Sequence, residues 1–207
     1  MIGIVAHRGM WSDPADQNSL ESFSRAFAHG FGIETDIRDF AGGVAIAHDP
    51  ADASCPSLDD LLALRGADKR PLYLNVKADG LVPRLTGITW GDNVYFFDMS
   101  APQAVAYARS GLPILTRLSD VEHEPVLADQ SRGVWVDALL GEWLNAAQVG
   151  ELARLRCPLV FVSPELHGRE PEPLWALLRS TLPESADVSI CTDLPAAADD
   201  YFNKARA

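Results

Sequence analysis

Short apolar segments recur along the chain at intervals that leave room for one helix between them, and this rhythm limits the fold more than any other feature. Strand-forming runs are read at Ile2–Ala6, Gly32–Ile37, Val44–Ala47, Leu72–Lys77, Val94–Asp98, Ile114–Thr116, Gly133–Asp137, Leu159–Val162 and Val188–Ile190. Many lack strict in-and-out alternation, as strands do when both faces are covered in a parallel sheet or barrel. The first helix is expected to be capped by Asn18, with Glu21 completing a capping box and Leu20, Phe23, Ala26 and Phe27 forming an apolar stripe that ends near Gly30. Further helices are expected over Leu58–Leu64, Pro102–Ser110, Glu122–Ser131, Asn145–Arg156 and Glu172–Ser180. Only Phe40–Gly43 separates the second and third strands, so the third reads as a hairpin arm. Setting it aside leaves eight strands, the number a TIM-type (β/α)8 barrel needs. The expectation is therefore a single barrel domain over residues 1–207, with economical loops and helices. An open doubly wound sheet is the competing architecture, and it lacks its glycine-rich fingerprint after the first strand.

Composition narrows the partners. Lys and Arg total 17 against 29 Asp and Glu, a net charge of −12, which argues against a nonspecific nucleic-acid or anionic-membrane binder. Cys55, Cys157 and Cys191 have no CxxC spacing and imply neither a disulfide framework nor a cysteine zinc site, in keeping with thiols in a reducing, cytoplasmic compartment. The opening MIGIVAHRG lacks a basic segment and a full apolar segment, and no later stretch approaches 18 apolar residues, so neither a signal peptide nor a membrane span is expected.

Polar residues gather at the strand ends. His7, Arg8 and Gly9 follow the first strand, Glu34 and Asp36 lie two apart on the second, His48 and Asp49 follow the hairpin arm, and Asn75 and Lys77 lie two apart on the next. Spacing of two puts Glu34 and Asp36 on one strand face, and likewise Asn75 and Lys77. On parallel staves these groups would converge at the carboxyl-terminal mouth, where barrel active sites are built. Glu34 and Asp36 offer hard oxygens suited to Mg²⁺ or Ca²⁺, although the same spacing would serve solvated carboxylates on an edge strand. His7 and His48 could act as base and acid, or be ordinary histidines. Arg8 and Lys77 could neutralise phosphate oxygens, or form surface ion pairs. Asp49 either orients His48 or forms the turn.

The ordered combination resembles the glycerophosphodiester phosphodiesterase superfamily. AHRG at Ala6–Gly9 looks like its opening signature, NSLESFSRAFAHGFGIETDI at Asn18–Ile37 is similar to its helix and metal-binding strand, and AHD at Ala47–Asp49 matches its second histidine motif. PSLDDLL at Pro56–Leu62 and TDLP at Thr192–Pro195 resemble later family segments, and Gln17 stands where a glutamate is usual. The resemblance implies a β/α barrel and metal-dependent hydrolysis of a small phosphodiester, with a glycerophosphodiester as the default substrate, giving an alcohol and glycerol phosphate. By this resemblance His7 and His48 are the acid/base pair, Arg8 and Lys77 bind the phosphate, and Glu34 and Asp36 bind Mg²⁺ or Ca²⁺ with Asn75 in the third ligand position. A sugar-linked or lysophospholipid diester, or a barrel that binds phosphorylated metabolites without turnover, are the alternatives.

Three departures stand out. NVK replaces the usual EIK, so Asn75 brings an amide where a carboxylate is expected, and Asp98, Asp137 or Glu165 could supplement it. The run AHDPADASCPSLDD leaves no room for the family's inserted cap segment. FVSPELHGR replaces a late tryptophan motif, so that Glu165, His167 and Arg169 either contact a distinct leaving group or are loop charge. Trp11, Trp90, Trp135 and Trp143 could contact a ligand or pack, and Trp175 is expected to pack.

Overall fold

A computed structural model describes residues 1–204. The described residues form nine strands: β1 (Gly3–His7), β2 (Gly32–Phe40), β3 (Gly43–Ile46), β4 (Leu72–Val76), β5 (Val94–Phe97), β6 (Leu115–Leu118), β7 (Gly133–Val136), β8 (Leu159–Val162) and β9 (Val188–Thr192). Eight run parallel in the order β5-β4-β2-β1-β9-β8-β7-β6, and β3 is an antiparallel hairpin arm on β2. A parallel bridge between Phe96 and Ile114 joins the outer members, so the staves close into a (β/α)8 barrel.

Helices α1 (Leu20–Ala28), α2 (Leu58–Arg65), α3 (Val82–Leu85), α4 (Ala101–Arg109), α5 (Ala146–Ala153), α6 (Glu172–Thr181) and α7 (Pro195–Asp199) follow the staves. The economy demanded by a 207-residue barrel falls on particular connections. The helix after β4 is a single turn, and no α-helix separates β6 from β7. The expected helix over Glu122–Ser131 is absent there: Pro125 lacks an amide donor, Leu127 takes a left-handed φ of 57°, and only the 3₁₀ turn Ala128–Gln130 forms. Neither α3 nor α7 was legible, because each is too short for an apolar stripe to repeat.

Two apolar layers follow from the pleat. Val5, Tyr73, Phe97, Leu115, Trp135, Val160, Val162 and Cys191 fill the barrel interior, where Phe97 and Trp135 stack with centroids 4.0 Å apart. Outward residues such as Ile33, Leu72, Leu74, Phe96 and Phe161 meet Phe23, Leu61, Tyr107 and Trp175 from the helices. The unbroken apolar runs thus reflect burial on both faces. Gly32 marks where the staves press together: a Cβ there would lie 2.8 Å from the Pro71 carbonyl oxygen.

Candidate active site

The interior face changes character towards the carboxyl ends of the staves. Along β4 it passes from Tyr73 to Asn75 and then Lys77, along β6 from Leu115 to Arg117, and beyond β7 and β9 it passes from Trp135 to Asp137 and from Cys191 to Asp193. His7 lies beside Glu34 in the β1–β2 register, and Asp36 lies beside Asn75 in the β2–β4 register. The same period of two therefore fills the barrel with apolar side chains and crowns it with charge.

The turn after β1 fixes this crown. Arg8 takes a left-handed φ of 55°, and its amide donates to the Glu34 carbonyl at 2.9 Å. Gly9 follows with φ 86°, and any Cβ there would meet Ser22 Oγ at 2.3 Å, so helix α1 can approach only a glycine. Asn18 does not cap α1. It takes φ 57°, accepts from Thr35 Oγ1 at 2.7 Å and donates to Asp36 Oδ2 at 3.0 Å. Ser19 caps the helix instead, its Oγ accepting from the Ser22 amide at 3.1 Å.

Glu34 and Asp36 are each 1% exposed, which excludes solvated edge carboxylates. Asp36 is compensated by Arg8, whose Nε lies 3.0 Å from Oδ2, and by Lys77, whose Nζ lies 3.5 Å from Oδ1. Neither cation is a surface ion-pair partner. Lys77 also lies 3.5 Å from Asp98, and Asp98 pairs in turn with Arg117, so cations and carboxylates alternate around this half of the mouth. Glu34 is less well served. Its Oε2 is buried without a hydrogen-bond partner, 3.8 Å from His7 Nε2. Burial, followed by the charge of Asp36, pushes its pKa up to about 7 against the opposing pull of His7, Arg8 and Lys77. Burial would lower the His7 pKa, but the 2.7 Å hydrogen bond from Nδ1 to Asp193 and the charges of Glu34 and Asp193 outweigh it and raise it.

A divalent cation is implied by the resemblance, and the donors can be judged directly. Among the described residues no group of three or more His, Cys, Asp and Glu side chains is placed to hold a metal ion. Glu34 Oε2 and Asn75 Oδ1 are nevertheless both buried and without hydrogen-bond partners, two hard oxygens on neighbouring staves with Asp36 beside them. This set fits a hard cation in kind and is short of one carboxylate in charge. The three acids that could supplement Asn75 are engaged elsewhere. Asp98 binds Lys77 and Arg117, Asp137 Oδ1 lies 2.8 Å from His167 Nε2, and Glu165 accepts from Ser163, Thr192 and the Asp193 amide.

His48 lies on the loop after β3, which starts with the Ala47 amide donating to the Asp36 carbonyl, and is exposed where Glu34 and Asp36 are buried. Its side chain is 48% exposed and its Nδ1 lies 3.0 Å from Asp49 Oδ1 in a bend of the chain, so Asp49 both turns the loop and holds the ring. The tryptophans are anchored to backbone or core: Trp11 donates to His7 O and Trp143 to Asp137 O, Trp90 packs on Phe96, and Trp135 and Trp175 are buried. Asp193 and Arg117 were not singled out from sequence. The signal was present, because each continues an inward alternation, Cys191 to Asp193 and Leu115 to Arg117, one step past the apolar run.

Comparison with known proteins bears on this architecture. No family model matches the sequence, and none of the curated proteins matches it. Among solved structures, the chain is similar to a glycerophosphodiester phosphodiesterase from Parabacteroides distasonis at 15% identity, over 100% of this chain and 98% of that one, with a TM-score of 0.71. A phosphodiesterase from Oleispira antarctica, solved with the product sn-glycerol-3-phosphate, matches at 14% identity over 96% of both chains with a TM-score of 0.67. A glycerophosphodiester phosphodiesterase from Agrobacterium tumefaciens matches at 18% identity over 100% and 99% with a TM-score of 0.64. No helix among the described residues is long and apolar enough to cross a membrane. From end to end, the chain has the β/α-barrel fold shared by the glycerophosphodiester phosphodiesterases.

Proposed function

We propose that the chain is a metal-dependent phosphodiester hydrolase whose default substrate is a glycerophosphodiester, split into an alcohol and glycerol phosphate. The observation that carries this reading is the convergence at one barrel mouth of a carboxylate-held imidazole, His7 on Asp193, with the cations Arg8 and Lys77 and the buried acids Glu34 and Asp36. Arg8 and Lys77 bind the nonbridging phosphate oxygens and oppose the charge that gathers on them as phosphorus is attacked. To do so they loosen from Asp36, whose Oδ2 keeps the Asn18 donor. His7 and His48 exchange protons with the substrate and with water. Asp193 holds the His7 ring by Nδ1, which leaves Nε2 to face Glu34 and the substrate. Glu34, Asp36 and Asn75 would hold the Mg²⁺ or Ca²⁺, which when bound supplies Lewis-acid polarisation of the phosphate and of the attacking hydroxyl.

A barrel that binds a phosphorylated metabolite without turnover is the second reading. It is favoured by one observation, the amide at position 75 in a site with no third acid free for a metal. Incubation of chelator-stripped, metal-reconstituted protein with a panel of glycerophosphodiesters, sugar-linked diesters and lysophospholipids, with both products identified, separates the two. The expected result is cation-dependent release of glycerol phosphate. Saturable binding of phosphoglycerol compounds with no product from any diester would leave only the binding reading.

A further inference from the structure

The mouth carries a second imidazole built like the first. His7 and Asp193 come from the ends of the neighbouring staves β1 and β9, with 2.7 Å between nitrogen and oxygen. His167 and Asp137 come from just beyond the neighbouring staves β8 and β7, with 2.8 Å between His167 Nε2 and Asp137 Oδ1. Asp137 continues the inward alternation of Trp135, and its side chain is 10% exposed. His167 closes the 3₁₀ turn Pro164–His167, whose end is fixed by the left-handed Gly168 and by Arg169 N donating to Pro164 O. Its imidazole is 27% exposed, so it is held and still reachable. The Arg169 guanidinium bonds the Ala138 carbonyl and ties this turn to the end of β7. Between the two dyads lies Glu165, bonded to Thr192 and the Asp193 amide on one side and to Ser163 on the other. His48, by contrast, leans on its exposed chain neighbour, Asp49, whose side chain is 90% exposed.

Arg8 and Lys77 follow β1 and β4 and flank Asp36 of β2, across the barrel from Asp137 at the end of β7, so the phosphate is drawn to that side; Arg117, on β6 next to β7, pairs with Asp98. In an in-line displacement the attacking and departing oxygens lie on opposite sides of phosphorus, and one of them needs a proton donor. Resting on the hydrolase reading, we propose that His167, oriented by Asp137, is a further catalytic residue that delivers the proton to the departing alcohol oxygen. The bond from phosphorus to the alcohol oxygen breaks, and its electron pair goes to that oxygen. The proton moves to it from Nδ1 of the His167 imidazolium. His167 is left neutral with Nε2–H still donating to Asp137, and the nucleophile's own proton goes to Nε2 of His7, whose Nδ1 is held by Asp193. Asp137 is then a positioning residue.

A general acid matters in proportion to how badly the departing oxygen needs its proton, so the test is a pair of glycerophosphodiesters, one with an alkyl alcohol and one with nitrophenol as leaving group. His167→Ala and the bulkier His167→Gln should each lose about 10²-fold in kcat on the alkyl diester while staying within about threefold of wild type on the nitrophenyl diester. Asp137→Asn should show the same selectivity with a smaller loss. Equal losses on both diesters, or no loss on the alkyl one, would overturn the assignment, as would finding the selective loss in His48→Ala and not in His167→Ala. A wild-type protein that hydrolyses neither diester removes the hydrolase reading itself and the proposal with it. A wild-type protein that hydrolyses both, with unselective His167 variants, removes the proposal alone.

Discussion

Glu34 is buried at the barrel mouth with a pKa pushed up to about 7, where an unfolded glutamate releases its proton near 4.5. Between those values the metal-free folded chain holds a proton that the unfolded chain has lost, so stability falls as pH rises from about 4.5 through 7 and is fully present only below that window. The gap between about 4.5 and about 7, at about 1.4 kcal/mol per pH unit, gives roughly 3–4 kcal/mol. The raised His7 pKa acts in the same direction and adds to the fall. Glu34→Gln keeps the shape and removes the titration. In chelator-treated protein the variant should match wild type near pH 4.5 and exceed it by about 3–4 kcal/mol at pH 8, which for a domain of this size is roughly 6–16 °C in Tm. Urea titrations of both proteins across pH 4.5–8 measure this directly. A wild-type stability as flat with pH as that of the variant, or a variant less stable than wild type at pH 8, would refute the argument that an uncompensated buried acid is held here.

The remaining predictions use the same site. Cation binding should replace the Glu34 proton, so Mg²⁺ or Ca²⁺ should raise the wild-type Tm more at pH 8 than at pH 5 and leave Glu34→Gln nearly unmoved, as read by thermal melts with and without chelator. Calorimetric cation titration should find tighter binding in Asn75→Asp and a sharp loss in Asn75→Leu, and wild-type affinity in Asn75→Leu would remove Asn75 from the ligand set. His7→Ala should lower turnover at least about 10²-fold with folding retained, as checked by circular dichroism beside the diester assay. Gly32→Ala should cost about 1–3 kcal/mol in urea titration, because its Cβ would press to 2.8 Å from the Pro71 carbonyl oxygen.

The barrel was legible because its physics is periodic. Strands buried on both faces must be apolar throughout, and parallel neighbours need a crossover between them, so eight apolar runs with mostly helical spacers already point to parallel staves. The pairs Glu34 with Asp36 and Asn75 with Lys77 were legible for the same reason, since a period of two fixes a shared face whatever the tertiary detail. Helix boundaries near proline and left-handed positions were less so. Asn18 has the composition of a cap and is drawn off instead by Thr35 and Asp36, partners on another element that no local window contains. What the tertiary structure alone decided is pairing. Asp193 meets His7 across 186 positions of sequence and His167 meets Asp137 across 30, because parallel pairing sets the ends of β9 and β1, and of β8 and β7, side by side. Likewise, that Glu34 and Asn75 carry buried oxygens with no donor, while Asp36 is fully compensated, follows from how many cations reach each group, and that depends on distances in space rather than on spacing along the chain.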